Sequence, residues 1–228
     1  MGIIHKIVNI LYRKRNPVNW HGLRQLQPVE KDFGFNRGTP VDRYYIEKFL
    51  AINSSLIKGT VLEVGENKYT KKFAKQPVQS EILNYHTNAE GKVITGDLSK
   101  SETLPNSMAD CFICTQTLNF IFDIEKAVDG IRYVLKDGGT ALVTVAGLCQ
   151  VSKYDQERWG DFWRFTDQSI KKLFEKAFGS DNISVSIYGN VFSATCLLQG
   201  ITVEDISEDE LNFNDSTYQV IIGIVAKK

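Results

Sequence analysis

The sequence has no excess of either charge: 27 Lys and Arg stand against 27 Asp and Glu in 228 residues. A neutral total argues against a nucleic-acid partner, because neutralising phosphates takes a basic face. No run approaches the roughly 20 apolar residues of a membrane-spanning helix, so integral membrane contact is not expected. Cysteine is scarce. Cys111 and Cys114 form a C-x-x-C, but inside the apolar run Ala109-Asp110-Cys111-Phe112-Ile113-Cys114, while Cys149 and Cys196 have no neighbouring Cys or His. Zinc needs a second ligand pair at matching spacing, so no metal site is expected and the thiols read as core residues of a cytoplasmic protein. The G-x-G-x-x-G fingerprint and the Walker A loop are also missing, which removes an NAD-dependent oxidoreductase and a phosphate cradle.

What is present is an ordinary globular composition, 43% hydrophobic and 24% charged, on a chain long enough for a full core. Ile3, Ile4, Ile7, Val8 and Leu11 fall at helical spacing and are followed by Arg13, Lys14 and Arg15. This is an amphipathic helix without the apolar core or cleavage site of a signal peptide. It suits docking on its own domain, on a second copy in a homodimer, or on a membrane surface. Residues 1–40 therefore read as a basic helical extension and residues 41–228 as the main domain. Residues 1–58 hold ten Lys and Arg against four Asp and Glu, and residues 200–228 hold two against six. Basic cap and acidic tail are expected to meet each other or a subunit contact.

From residue 41 helix and strand alternate. Val41 to Leu56 is helical in pattern, and Gly59 to Gly65 is a short β-branched run between glycines. Lys68 to Lys75 reads as a short helix, Glu81 to Tyr85 and Lys92 to Thr95 as strands, and Asp110 to Thr115 as a fourth strand. Ile124 to Leu135 is a helix that Asp137-Gly138-Gly139 is expected to stop, followed by a strand from Thr140 to Val145. Thr166 can cap a helix; Ile183 to Tyr188 and Tyr218 to Val225 are late strands around a helical Val191 to Leu198. The expected fold is α/β: a Rossmann-like doubly wound sheet, mostly parallel with an antiparallel late strand, helices on both faces. Ligands of such sheets bind beyond the carboxyl ends of the strands.

Those ends carry Glu63-Val64-Gly65-Glu66-Asn67, then Gly96-Asp97-Leu98, then Thr115-Gln116-Thr117. A glycine after a strand lets a ligand approach the backbone, and an acid past a strand end can accept from an adenine amino group or cap a turn. Taken in order, Val61-Leu62-Glu63-Val64-Gly65, Gly96-Asp97-Leu98, Leu104-Pro105 before Ala109-Asp110, Val134 to Gly139 and Trp163-Arg164-Phe165-Thr166 resemble the class I S-adenosylmethionine-dependent methyltransferases. A narrower likeness, in Arg37 to Ile46 and Arg158 to Thr166, is to methyltransferase-domain proteins found with bacterial glycosyltransferases. The resemblance implies S-adenosylmethionine as cofactor, with Glu63, Gly65, Glu66, Asn67, Asp97, Leu98, Gln116 and Thr117 around it. Two departures stand out: Asn67 and Tyr69 replace later glycines of the first motif, and Tyr85, His86, Thr87 and Asn88 stand where a ribose-binding acid is usual.

The implied activity is O-methylation of a small molecule or a sugar or glycan; the alternative is a catalytically degenerate, methyltransferase-like binding protein. His86, Asp155 and Asp161 are the candidate catalytic groups, and His5 and His21 read as surface residues. Residues 154–164 pack Trp159 and Trp163 among charges, which suits a planar polar or sugar acceptor or, equally, a lid held by Arg–Asp pairs. Arg37, Tyr44, Tyr45, Trp159, Trp163 and Arg164 are the expected substrate-side residues.

Overall fold

The computed structural model describes residues 3–18, 22, 24–87 and 93–228, with side chains from residue 7 onward. The helices are α1 (Ile3–Arg15), α2 (Val41–Ile52), α3 (Lys68–Phe73), α4 (Ile124–Val134), α5 (Lys153–Trp159), α6 (Asp167–Phe178), α7 (Val191–Gln199) and α8 (Glu208–Asn212). The strands are β1 (Thr60–Val64), β2 (Gln79–Asn84), β3 (Ile94–Thr95), β4 (Ala109–Thr115), β5 (Leu135–Ala146), β6 (Ile183–Tyr188) and β7 (Ile221–Lys227). They form one sheet in the order β3-β2-β1-β4-β5-β7-β6. All neighbours are parallel except β7, which runs antiparallel to both β5 and β6. The strand order reverses between β1 and β4, so a crevice opens beyond their carboxyl ends.

The two sheet faces carry separate cores because successive strand side chains point opposite ways. In β4, Phe112 and Cys114 pack with Ala127 and Ile131 of α4 and Ile170 and Phe174 of α6. Cys111 and Ile113 face the other way, onto Tyr45, Ile46 and Phe49 of α2 and Leu197 of α7. The C-x-x-C pair is thus split across the sheet, and all four thiols are free. Thr166 and Ser169 cap the start of α6 reciprocally, side chain to backbone in both directions.

Asp137-Gly138-Gly139 does not cap a helix. Helix α4 ends at Val134, Leu135 is already extended, and the glycines lie within β5. The pairing of β4 with β5 slips there, from Ala109 opposite Leu135 to Cys111 opposite Thr140. Gly138 has φ 79°, and its N–H donates to the Lys228 carbonyl, so the pair accommodates an irregularity in the strand rather than a helix end.

Docking of α1 on its own domain is not found: every described side chain of α1 is exposed, Ile7, Val8, Ile10 and Leu11 included. The end of the extension, by contrast, is strapped to the acidic tail. Val203 N–H donates to the Thr39 carbonyl, Arg37 pairs with Asp205 at 2.8 Å, and the Glu204 carboxylate accepts the Thr39 N–H at 2.9 Å. That backbone bond holds the Glu204 carboxyl down to about 2. Among the described residues, no helix is long and apolar enough to cross a membrane.

Candidate functional site

Two cavities lie beyond the carboxyl ends of the parallel strands. The larger, about 490 Å³, runs from Gly65 and Asn84 at the ends of β1 and β2, past Asp97, Leu98 and Ser99 after β3, to Gln116 and Thr117 after β4. Tyr85, Phe122, Arg158, Trp159 and Phe162 complete its wall. The smaller, about 230 Å³ and open to solvent, is lined by Phe33 and Phe35 before α2, Asp42 and Arg43 on α2, Asn119 after β4, and residues of the 146–164 stretch. Gln116 and Phe120 line both, so the cavities meet at those two residues.

Gly65 makes the cleft possible in a specific way. Its φ is 84°, which side-chain-bearing residues rarely adopt, and an added Cβ would meet nothing within 4 Å. Its N–H donates to the Leu83 carbonyl, closing the mouth of β1 onto β2 while leaving an open cradle above the backbone. Such a cradle, beside the flat apolar wall of Leu98, Ile121 and Phe122, fits an extended nucleoside with a charged tail. Asp97 lies at its edge. Burial pulls its carboxyl up, but the Ser99 hydroxyl and amide and the Lys100 ammonium outweigh that and hold it below its ordinary range. A carboxylate so placed retains capacity to accept from an amino group.

Glu63, expected at the cofactor, does not line the cleft. Its carboxylate is buried under α3, accepting from the Thr70 N–H at 2.8 Å, the Thr70 hydroxyl at 2.7 Å and the Tyr69 N–H at 3.1 Å. Burial still pushes it above the usual carboxylate value, against those bonds. It ties the first turn of α3 to β1. Glu66 pairs with Lys68, the Asn67 amide donates to the Ser80 hydroxyl, and neither residue lines the cleft. Gly65, Asp97, Leu98, Gln116 and Thr117 do line it.

Helix α5 spans both cavities: Asp155 faces the chamber, Arg158 and Trp159 the cleft. Trp159 packs against Tyr85 at 6.0 Å and His86 at 5.4 Å, joining α5 to the end of β2. His86 belongs to this aromatic contact and lines neither cavity. Asn88 and His21 lie outside the described residues.

Of the expected substrate-side residues, several have other partners. Arg37 is held by Asp205. Tyr45 is buried in the core with its hydroxyl on the Leu211 carbonyl, and Tyr44 bonds to Asn212. Trp163 packs against the core and donates to the Ile121 carbonyl at 3.1 Å. Arg164 does line the chamber, yet its donors are taken by Asp161 and by the carbonyls of Cys149, Gln150 and Trp163. Those five bonds match the five N–H groups of a guanidinium, leaving none for a ligand. Asp161, for its part, is desolvated, but Arg164 and then the Ser152 and Asn119 groups hold it below its ordinary value, ionised and fully engaged. A carboxylate in that state is a poor proton acceptor.

Asp155 accepts from the Ser152 hydroxyl at 2.6 Å. The chamber's other carboxylate, Asp42, is absent from the sequence-derived set, as are Arg43, Asn119 and Asn84. Burial raises the Asp42 carboxyl above its ordinary value despite the neighbouring Arg43 charge. Cys149 is no nucleophile, since burial pushes its thiol up to about 12. Two polar atoms of the chamber lining are buried without a partner among the described residues, Gln116 Oε1 and Asn119 Oδ1. Gln116 also has φ 49°, a conformation costing a non-glycine residue roughly 1–3 kcal/mol. Among the described residues no group of three or more His, Cys, Asp or Glu is placed to hold a metal ion.

No curated protein matches the sequence at a significant level. Residues 52–143 match the family described as "Methyltransferase domain". Among solved structures, a SAM-dependent methyltransferase from Archaeoglobus fulgidus is similar at 10% identity and a TM-score of 0.51, over 82% of this chain and 94% of that one. A SAM-dependent methyltransferase from Thermotoga maritima, described as a possible histamine N-methyltransferase, gives 17% identity and 0.52, over 82% and 91%. The 1,6-didemethyltoxoflavin-N1-methyltransferase of Burkholderia thailandensis, solved with its substrate and S-adenosylhomocysteine, gives 12% and 0.52, over 100% and 91%. At these identities the structural likeness is one of fold. The family match over residues 52–143, the strand order and the crevice together give the chain the Rossmann-like fold of the methyltransferases it resembles.

Proposed function

We propose that the chain transfers a methyl group from S-adenosylmethionine, bound in the larger cleft, to a small polar molecule bound in the smaller chamber. The observation that carries this reading is the meeting of the two cavities at Gln116 and Phe120. When bound, the cofactor supplies an electrophilic methyl on a sulfonium that is already a good leaving group. What the chain itself contributes is alignment, worth about 7–11 kcal/mol in well-oriented systems. In this reading Gly65 admits the methionine and ribose parts close to the backbone, Asn84 serves the ribose side in place of the usual acid, and Asp97 and Leu98 hold the adenine. Gln116 and Thr117 sit beside the sulfonium, and Arg158, Trp159 and Phe162 exclude water.

A hydroxyl, on a small molecule or a single sugar ring, and an amine both surrender a proton on methylation. Asp42 is the chamber group suited to take it, at a typical gain of about 10²–10⁴-fold. A chamber of about 230 Å³ supports a small acceptor over an extended glycan. The two thiols of β4, on opposite sheet faces, support a reducing, cytoplasmic setting. The exposed apolar positions of α1 are the surface that favours a homodimer.

A second reading, a catalytically silent relative that binds a partner, is favoured by the engagement of Glu63 with α3 and the missing ribose acid. Calorimetric titration with S-adenosylhomocysteine separates the two. Micromolar binding, weakened at least about tenfold in Gly65→Val by strain and filling of the cradle, is expected. No heat at millimolar ligand overturns the enzymatic reading.

A further inference from the structure

We infer that the chain pairs with a second copy of itself by exchanging α1, the apolar face of each α1 lying on the outer face of α7 in the other copy. This deepens the reading of α1 as a dimer surface and is independent of methyl transfer.

Helix α7 is unusual for a helix at the surface, since Val191–Gln199 holds no charged residue. One face, with Ala194, Cys196 and Leu197, is buried in the core. The other presents Val191, Phe192 and Leu198 to solvent. Positions 191, 195 and 198 share one stripe of the helix, and the Thr195 hydroxyl on that stripe donates back to the Val191 carbonyl at 2.8 Å. A helix apolar all round belongs in an interior, and a contiguous apolar patch left outside marks a contact surface.

Charge identifies what covers it. At the start of α7 the Asn190 amide donates to the carbonyls of Glu210 and Phe213, at 2.8 and 2.7 Å, and so seats α8 at that end. The first turn of α8 is Glu208, Asp209 and Glu210. Glu210 accepts from Ser207, whereas Glu208 and Asp209 have no ion-pair partner among the described residues. Helix α1 is the counterpart. It has no acidic residue, its last turn is Arg13, Lys14 and Arg15, and Ile7, Ile10 and Leu11 form an exposed apolar stripe. Residues 1–29 hold five Lys and Arg and no Asp or Glu.

Laid antiparallel on α7, α1 sets its basic turn against α8 and its apolar stripe against Val191, Phe192 and Leu198. Other arrangements meet less of this. Two α1 helices packed together bring basic residues to each other with no acid between them. An anionic membrane surface satisfies α1 but leaves the α7 face bare. A twofold dimer in which each copy gives one α1 and receives one covers both faces in both copies.

Sedimentation equilibrium on the full chain tests this. The wild type is expected to be dimeric at about 50 μM. Leu11→Lys and Phe192→Lys, both at exposed positions and each checked for folding by its melting temperature, are each expected to weaken the dimer about a hundredfold, because one substitution strikes two contacts. An equimolar mixture of the two variants retains one intact α1–α7 contact per mixed pair. It is expected to form heterodimers more tightly than either variant forms homodimers. A dimer indifferent to Phe192→Lys, or a mixture that associates no more tightly than its components, overturns the α7 contact while leaving dimerisation through α1 standing. A wild-type monomer at about 50 μM overturns both, whether or not it sediments with phosphatidylserine vesicles.

Discussion

Asp161 and Arg164 grip each other through two bonds, Nη1 to Oδ1 at 2.5 Å and Nη2 to Oδ2 at 2.8 Å, with the Asp161 side chain 1% exposed. From this pair Arg164 reaches the carbonyls of Cys149, Gln150 and Trp163. It thereby fixes the stretch leading from β5 into α6 over the chamber. Arg164→Ala leaves a buried carboxylate uncompensated and is expected to cost about 3–5 kcal/mol of unfolding free energy. In urea denaturation the double variant Asp161→Asn, Arg164→Ala is expected to lose less than the sum of the two single losses.

The cleft depends on a close approach elsewhere. A Cβ on Gly130 of α4 would stand 2.1 Å from the Leu98 carbonyl oxygen. Only glycine lets the helix touch the backbone that carries Asp97 and Leu98. Gly130→Ala is expected to destabilise the fold by about 1–3 kcal/mol and to weaken S-adenosylhomocysteine binding, because the loop must move into the cleft. Unchanged affinity measured by calorimetry would show that this contact does not position the loop.

The framework of the site was legible in the sequence where a strand ends and its loop begins. Gly65, Asp97, Leu98, Gln116 and Thr117 follow β-branched or apolar runs whose period marks them, and they do meet in one cleft. Glu63 shows the limit of that reasoning. A strand acid reads the same whether it faces a ligand or receives the first turn of the next helix, as it does here. The chamber was not legible at all, because it is assembled from residues 33–43, 115–120 and 146–164. Asp42 reads in sequence as an ordinary first-turn acid of an amphipathic helix; its chemical character comes from burial by these distant loops. The glycines at 138 and 139 mislead for a related reason: the turn they signal lies inside a strand, against Ala109 and Lys228.

In the proposed methyl transfer, the raised Asp42 carboxyl is expected to give the activity a pH dependence of known sign. Below its pKa the group is protonated and cannot take a proton, so kcat/KM is expected to rise with pH through a limb displaced above the ordinary aspartate value of 3.8. Stability runs the other way for this group, since burial disfavours its charged form and the cost appears as pH climbs through the same range. In Asp42→Asn the limb is expected to vanish, with a rate loss of about 10²–10⁴-fold.

Acid should loosen the strap between the extension and the tail. Glu204 sits at about 2 in the fold against an ordinary 4.5, held mainly by the Thr39 N–H. A carboxyl depressed in this way stabilises above its unfolded value and loses that contribution as pH falls from 4.5 toward 2. Hydrogen exchange at the Thr39 amide is expected to accelerate across that interval. In Glu204→Gln it is expected to be fast already at neutral pH.

Everything in this account places the sulfur of the cofactor where the cleft and the chamber join. A crystal structure of the protein with S-adenosylhomocysteine measures this directly. The account predicts the adenine against Leu98, the ribose near Asn84, and the sulfur beside Gln116 facing the chamber of Asp42 and Asn119. A ligand bound elsewhere, or one whose sulfur faces away from Gln116, contradicts it.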